Sequence, residues 1–302
     1  MRKVLIGLAV LTVLAAACAP EDDTSTGASG SETGAAPTDA KGCAASSDVT
    51  YTTDNALTIG TGNPAYPPWF EGGEQPGTEW KINDPSNDQG FESQVAYAVA
   101  RQMGFEDNQV TWVPVPFNAS FAPGPKDFDL VLQQISYSAK RAQAVDFSDS
   151  YYDVNQALVS TKGSSIADAT TIEELKDAKL GAPIGTTSLD EITDVIQPNA
   201  EPLVYDSLNA AVQDLKNGQV DGIVVDLPTA FYVTAVQVPD GVIVGQFPTE
   251  GQQEYFAMAF FKGSALVQCV NLALDALKGD GTLDEIQQKW LSDKASAPVI
   301  AA

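Results

Sequence analysis

The stretch QISYSAKRAQAVDFSDSYY, residues 134–152, decides the fold. It starts at the end of a strand-like apolar run, 128–135, turns at Ser-Tyr-Ser and reaches Arg141 where a helix can begin. Open α/β sheets bind ligands at such places, beyond the carboxyl ends of strands. The chain has three arginines, Arg2, Arg101 and Arg141. Arg2 lies in a leader segment, and Arg101 falls off the stripe of Val95, Val99 and Met103, among solvated residues. A guanidinium can engage both oxygens of a carboxylate at once, which makes Arg141 a candidate anchor for one. Read alone, it is equally an ordinary surface residue of a first helical turn.

At 302 residues the chain can fill two domains, each with its own core. A formal charge of −24 argues against nucleic acid as a partner and gives no support for adsorption on anionic lipid. There is no histidine, so Ser-His-Asp and Cys-His catalysis are excluded. With neither a CxxC pair nor an EF-hand loop, no metal and no cofactor are expected.

Residues 1–17 carry Arg2 and Lys3, an apolar run over 4–14 and then small residues, which reads as a secretory signal. Ala-Ala-Ala-Cys18 resembles a bacterial lipobox, with Ala15 three places before the cysteine. A lipid on Cys18 would then anchor the mature chain at the membrane, the alternative being cleavage without lipidation. Residues 18–54 are rich in Ser, Thr, Gly, Ala and acids, too apolar-poor to offset chain entropy, and read as a flexible linker. Cys43 and Cys269 remain once Cys18 is used, so an exported chain is expected to join them, two free thiols being the alternative.

The folded part opens with Leu57-Thr-Ile-Gly-Thr and the rigid aromatic loop Asn63-Pro-Ala-Tyr66-Pro-Pro-Trp69-Phe. A long polar loop over 71–89 precedes a helix over 91–103, a strand over 110–115 and a second aromatic loop with Phe117. Strands over 128–135 and 156–160 follow, then a capping box at Thr171-Ile-Glu-Glu. A second α/β series runs from Leu180-Gly-Ala-Pro-Ile-Gly-Thr-Thr-Ser through helices over 189–196 and 207–216 and a strand over 220–225 ending at Asp226. A strand over 242–244, an apolar run over 255–261 and helices over 265–278 and 283–291 complete it. Strands alternating with helices imply mostly parallel sheets covered on both faces. The length, together with the runs at 156–160 and 255–261, suggests two lobes crossed twice.

Ser136-Tyr-Ser-Ala-Lys-Arg141 followed by Ala-Val-Asp-Phe-Ser-Asp-Ser-Tyr resembles the signature of the family 3 extracellular solute-binding proteins, the amino-acid receptors of bacterial ABC importers. The resemblance spans about 57–291. It implies that Arg141 grips the ligand α-carboxylate with help from Ser136. Gly185-Thr186-Thr187-Ser188 resembles the second-lobe turn that completes that site, so Thr187 is assigned there with Ser188 in support. Asp226 takes the position that receives the α-ammonium, and Tyr66 and Phe117 match the aromatics that sandwich the side chain. A zwitterion needs one cation and one anion at opposed positions in a dry site, which Arg141 and Asp226 would provide.

The resemblance implies a two-lobe type II periplasmic-binding fold, α/β, with two crossover strands as hinge. Lobe one is expected over 55–157 and 255–292, lobe two over 158–254, and a tail over 293–302. Such a protein is a monomer that hands its ligand to a membrane permease. Basic-amino-acid receptors of the family carry an aspartate where this chain has Asn63, so a neutral polar ligand is expected. Asn63, Gln134 and Gln133 would satisfy its side chain, with Tyr66, Trp69 and Phe117 covering the aliphatic part, unless Glu71 or Glu79 reaches the pocket. The rival is a carboxylate-based enzyme on the same fold, such as a cyclohexadienyl dehydratase-like lyase.

Overall fold

Leu57 and Ile59, with no exposed surface, set the first strand, β1 (Leu57–Thr61), which is buried along its whole length. A strand covered on both faces needs neighbours on both edges, and β1 has them in β2 (Val110–Pro114) and β3 (Leu130–Val131), both parallel to it. The computed structural model describes residues 37–248, 253–291 and 296–302.

Among these residues, β4 (Val145–Phe147) and β12 (Ala259–Phe261) complete a first sheet of order β2-β1-β3-β12-β4. The second sheet has the order β10-β6-β9-β7-β8, from β6 (Gln156–Thr161), β7 (Leu180–Pro183), β8 (Leu203–Tyr205), β9 (Gly222–Asp226) and β10 (Gly241–Gln246). Between the two, β5 (Tyr152–Asp153) pairs antiparallel with β11 (Tyr255–Phe256), where the chain leaves the first lobe and returns to it. This is a two-lobe fold hinged on two crossing strands.

The sheets are more mixed than the helix–strand alternation suggests. β6 runs antiparallel to β9 and β10, and β12 antiparallel to β3 and β4. Both strands come directly from the hinge without a helical crossover, and only parallel neighbours require one. The strand expected over 128–135 is reduced to β3. Asp129 turns its carboxylate to the Thr52 and Thr58 amides (2.6 and 2.7 Å), and Gln134 has φ +50°, which breaks the extended run. The helix expected after Arg141 is one turn, Arg141–Gln143, before β4 begins. The capping box yields only the turn Glu173–Leu175, with Glu174 accepting from the Thr170 and Thr171 amides.

The cores are separate. In lobe one, α2 (Phe91–Gln102), α7 (Leu266–Gly279) and α8 (Thr282–Leu291) pack with Trp69, Phe70, Phe256 and Phe260. In lobe two, Leu158, Leu180, Ile192 and Val224 fill one face of the sheet. A short helix, α1 (Ala40–Ala44), belongs to lobe one. Asp39 caps it, Cys43 is disulfide-bonded to Cys269 in α7, and Ala40, Cys43 and Ala44 are buried. The linker expected over 18–54 is therefore folded from residue 37 onward. Average composition hides a few apolar side chains that a covalent bond holds in place, and the signal segment and Cys18 lie outside the described residues.

The expected tail also has structure. Residues 297–301 lie along β10, with Gln246 donating its amide to Pro298 O (2.7 Å) and accepting from the Ile300 amide (3.0 Å). Ile300 is fully buried in the lobe-two core, and a side chain at Gly245 would sit 2.7 Å from Ile300 Cγ1. Leu291 packs into lobe one, whereas Ile300 packs into lobe two.

Candidate functional site

A cavity of about 710 Å³ lies between the lobes, a size suited to a small molecule. Arg141 enters it from lobe one. Its guanidinium donates to the Ser136 carbonyl and, across the cleft, to Gly185 O at 2.8 Å. The Phe121 and Phe117 rings lie 4.5 and 5.5 Å from its centre, and the residue is only 8% exposed. Burial pushes its pKa down, while Asp190, Glu254 and Asp226 push it back up. Among the described residues no carboxylate pairs with it within 4 Å.

Asp226 reaches the same cavity from lobe two, at the carboxyl end of β9. It is half-buried, and it lines the cavity. Its carboxyl is pushed up to about 7, by burial first and then by the negative charge of Glu254, against the opposing effects of Gln156 and Arg141. Gln156, at the start of β6 just after the crossing, organises this wall. Its Nε2 faces Asp226 Oδ1 at 2.9 Å, both Glu254 oxygens at 3.2 Å and Thr187 Oγ1 at 3.3 Å, while its Oε1 accepts from Ser188 Oγ at 2.7 Å.

Thr187 and Ser188 line the cavity at the start of α4 (Thr187–Asp190), which Thr186 caps by accepting from the Leu189 amide. Ser136 is buried, yet its Oγ stands 3.3 Å from Thr187 Oγ1 across the cleft. The lobes meet closely at Gly185, with φ +77°, where a Cβ would collide with Asn118 of lobe one. Tyr66 and Phe117 both line the cavity. Tyr66 lies 6.0 Å, ring to ring, from Tyr232.

Trp69 lies elsewhere. It is 1% exposed, its ring packs edge-on against Phe91, Tyr152 and Phe256, and its Nε1 donates to Thr229 Oγ1 at 3.2 Å. It is a core aromatic, because the chain turns after Tyr66 (Phe70 N to Tyr66 O, 3.0 Å) and sends the indole inward. Asn63 and Gln134 line the cavity, but their side-chain amides are in use. Asn63 bonds Glu79 O (2.9 Å) and the Lys81 amide (3.0 Å), and Gln134 bonds Glu92. Glu92 is fully buried and also accepts from the Gln134 amide and Tyr151 OH; burial pushes it up to about 7. Glu79 lines the cavity.

The sequence reading missed Gln156, Glu92, Phe121 and Glu254. A polar residue opening the apolar run Gln-Ala-Leu-Val was the one available signal for Gln156. Glu92 and Phe121 become recognisable only when contacts bring distant segments together.

Known proteins share this fold and part of this sequence. The ABC transporter glutamine-binding protein GlnH of Bacillus subtilis (strain 168) is 29% identical over 217 residues, covering 70% of this chain and 77% of that protein. An ancestral arginine-binding protein, solved bound to arginine, superposes with a TM-score of 0.63 at 30% identity, covering 78% of this chain and 98% of the other. The ancestral amino-acid-binding protein AncCDT-1, described as a precursor of cyclohexadienyl dehydratase, superposes at 0.62 with 27% identity, covering 78% and 95%. Residues 72–293 match the bacterial extracellular solute-binding proteins, family 3, and the chain belongs to that family.

Proposed function

We propose that this chain is the extracytoplasmic substrate-binding component of an ABC importer, taking a free amino acid between its lobes and handing it to a membrane permease. The observation that carries this is the placing of Arg141 and Asp226, from opposite lobes, on one cavity wall system. The guanidinium suits the α-carboxylate, with Ser136, Thr187 and Ser188 as hydroxyl partners beside it. Asp226 suits the α-ammonium. A ligand touching both lobes favours the closed arrangement by its differential affinity, and closure is what a permease can read. A thermal-shift screen of the proteinogenic amino acids tests this. A ligand at a hundred times its Kd contributes about 2.7 kcal/mol, which raises Tm by about 5 °C or more. No response to any amino acid would overturn the reading.

The carboxyl of Asp226, poised at about 7, adds a pH dependence. Below about 7 the ligand-free group is protonated, and an arriving ammonium favours the carboxylate, so binding expels a proton. Affinity should fall by up to about tenfold per pH unit as pH drops below about 7, and stay flat above it. Titration calorimetry from pH 5.5 to 8, in buffers of different ionisation enthalpy, checks both the trend and the proton release. A pH-independent affinity would contradict the role of Asp226.

The lobes would be held at the membrane by a lipid on Cys18, a reading supported by the small residues before it. A Cys18→Ala variant is expected in the culture medium, and its retention in the membrane fraction would count against the anchor. The alternative lyase would use Asp226 as a general acid, for which a pKa near 7 is suitable. A bound amino acid recovered unchanged after prolonged incubation supports the receptor.

A further inference from the structure

Among the described residues the cavity wall carries three carboxylates, Glu79, Asp206 and Asp226, against a single guanidinium, Arg141. An amino acid's zwitterionic end uses one of each. Two carboxylates are left, and they come from opposite lobes. Glu79 lies on the loop between β1 and α2, and Asp206 follows β8 immediately before Ser207, the N-cap of α5 (Leu208–Lys216). They border the same cavity: Asn63, three residues before Tyr66, fastens Glu79, and Ser207 and Leu208, which follow Asp206, line the cavity together with Tyr66.

The Glu79 loop is built as a platform. Asn63 takes the Lys81 amide on its Oδ1 and gives its Nδ2 to Glu79 O, so it brackets Trp80 and pins the backbone directly after the Glu79 side chain. The Ala65 amide donates to Lys81 O (3.2 Å). Buried Asn83 ties the same loop to Ala65 O and Phe70 O (3.0 and 2.8 Å) and to the Gly73 amide (2.9 Å). The expectation of a neutral ligand rests on Asn63 reading the side chain directly. Here the Asn63 amide holds the loop, and the group that the loop brings to the wall is a carboxylate.

Resting on the receptor reading above, we infer that the site takes amino acids whose side chain ends in a cation, an ammonium or guanidinium, with Glu79 and Asp206 as the carboxylates that select it. Asn63 is a positioning residue for Glu79. The aromatic wall of Tyr66 and Phe117 suits such a side chain, because a cation over an aromatic face is attracted to it. The formal charge of −24 acts in the same direction, raising the local concentration of cations and repelling anions. Both carboxylates are exposed at the cavity margin. Each is therefore screened, and its individual effect should be moderate.

Titration calorimetry with L-arginine, L-lysine, L-glutamine and L-glutamate decides the matter, using the full-length secreted protein and its Glu79→Gln, Asp206→Asn and doubly substituted variants. The wild type is expected to bind L-arginine or L-lysine at least about tenfold tighter than L-glutamine, and L-glutamate weakest. Each single substitution should weaken the basic ligand by about 2- to 5-fold, the loss shrinking in high salt, while L-glutamine changes less than about 1.5-fold. A wild type that prefers L-glutamine, or a double variant that keeps its preference for the basic ligand, would overturn the inference while leaving the receptor reading intact. Failure of every amino acid to bind would overturn both. An Asn63→Ala variant tests the positioning role: it should weaken the basic ligand selectively only when Glu79 is present.

Discussion

Arg141→Ala is expected to weaken amino-acid binding by at least about 30-fold while the protein stays folded. Removing one member of a desolvated, hydrogen-bonded ion pair typically costs about 2–5 kcal/mol, and the lower end of that range already gives the factor of 30. Three features make Arg141 a pre-set anchor. Its guanidinium is fixed by the Ser136 and Gly185 carbonyls, it is sandwiched near Phe117 and Phe121, and almost none of it meets bulk water. An incoming carboxylate therefore meets a cation already ordered and dehydrated. Arg141→Lys should recover little, because one ammonium on a flexible stem cannot span both carbonyls and still present a planar pair of donors. Calorimetric titration of both variants, with circular dichroism as the folding control, is the check. Near wild-type affinity in Arg141→Ala would remove the anchor from the account.

The second large effect concerns stability. The Cys43–Cys269 bond closes a loop across 226 residues, and in the chain-entropy view such a cross-link is worth about 4–5 kcal/mol. For a chain of this size the double Cys43→Ser, Cys269→Ser variant should melt about 8–15 °C below the wild type. The bond also fastens α1 to α7. Behind it Tyr51 donates to Ala44 O (2.9 Å) and packs edge-on against Phe105 (5.4 Å), so the segment before β1 should become the first proteolytic site in the variant. An unchanged melting temperature, with no new cleavage before residue 57, would show that the segment is held without the bond.

Residues at strand ends were legible in the sequence. Arg141, Thr187 and Asp226 each follow an apolar run at the point where it breaks, and the chemistry of the residue type then suggests its use. Residues whose significance depends on a distant partner were not. Trp69 reads like Tyr66 in the same aromatic loop, but one turn of backbone separates a cavity wall from the core. Asn63 and Gln134 carry the right amides for a ligand, yet Glu79, Lys81 and Glu92 already occupy them. Gln156 joins Asp226, Thr187, Ser188 and Glu254, residues 31 to 98 positions away, a convergence no local pattern encodes. Composition misled at both ends of the chain for one reason. A few buried residues in a polar stretch, Ala40, Cys43 and Ala44 near the start or Ile300 near the end, dock it when a disulfide or a sheet edge provides the rest.

The most direct measurement is the identity of what the protein carries. The protein should be purified without refolding, denatured, and the small molecules released should be identified by mass spectrometry against a boiled-buffer control. The account predicts a free α-amino acid in near-stoichiometric amount, lost from the Arg141→Ala variant. A compound lacking an α-amino-carboxylate group, or an amino acid retained equally by that variant, would contradict it.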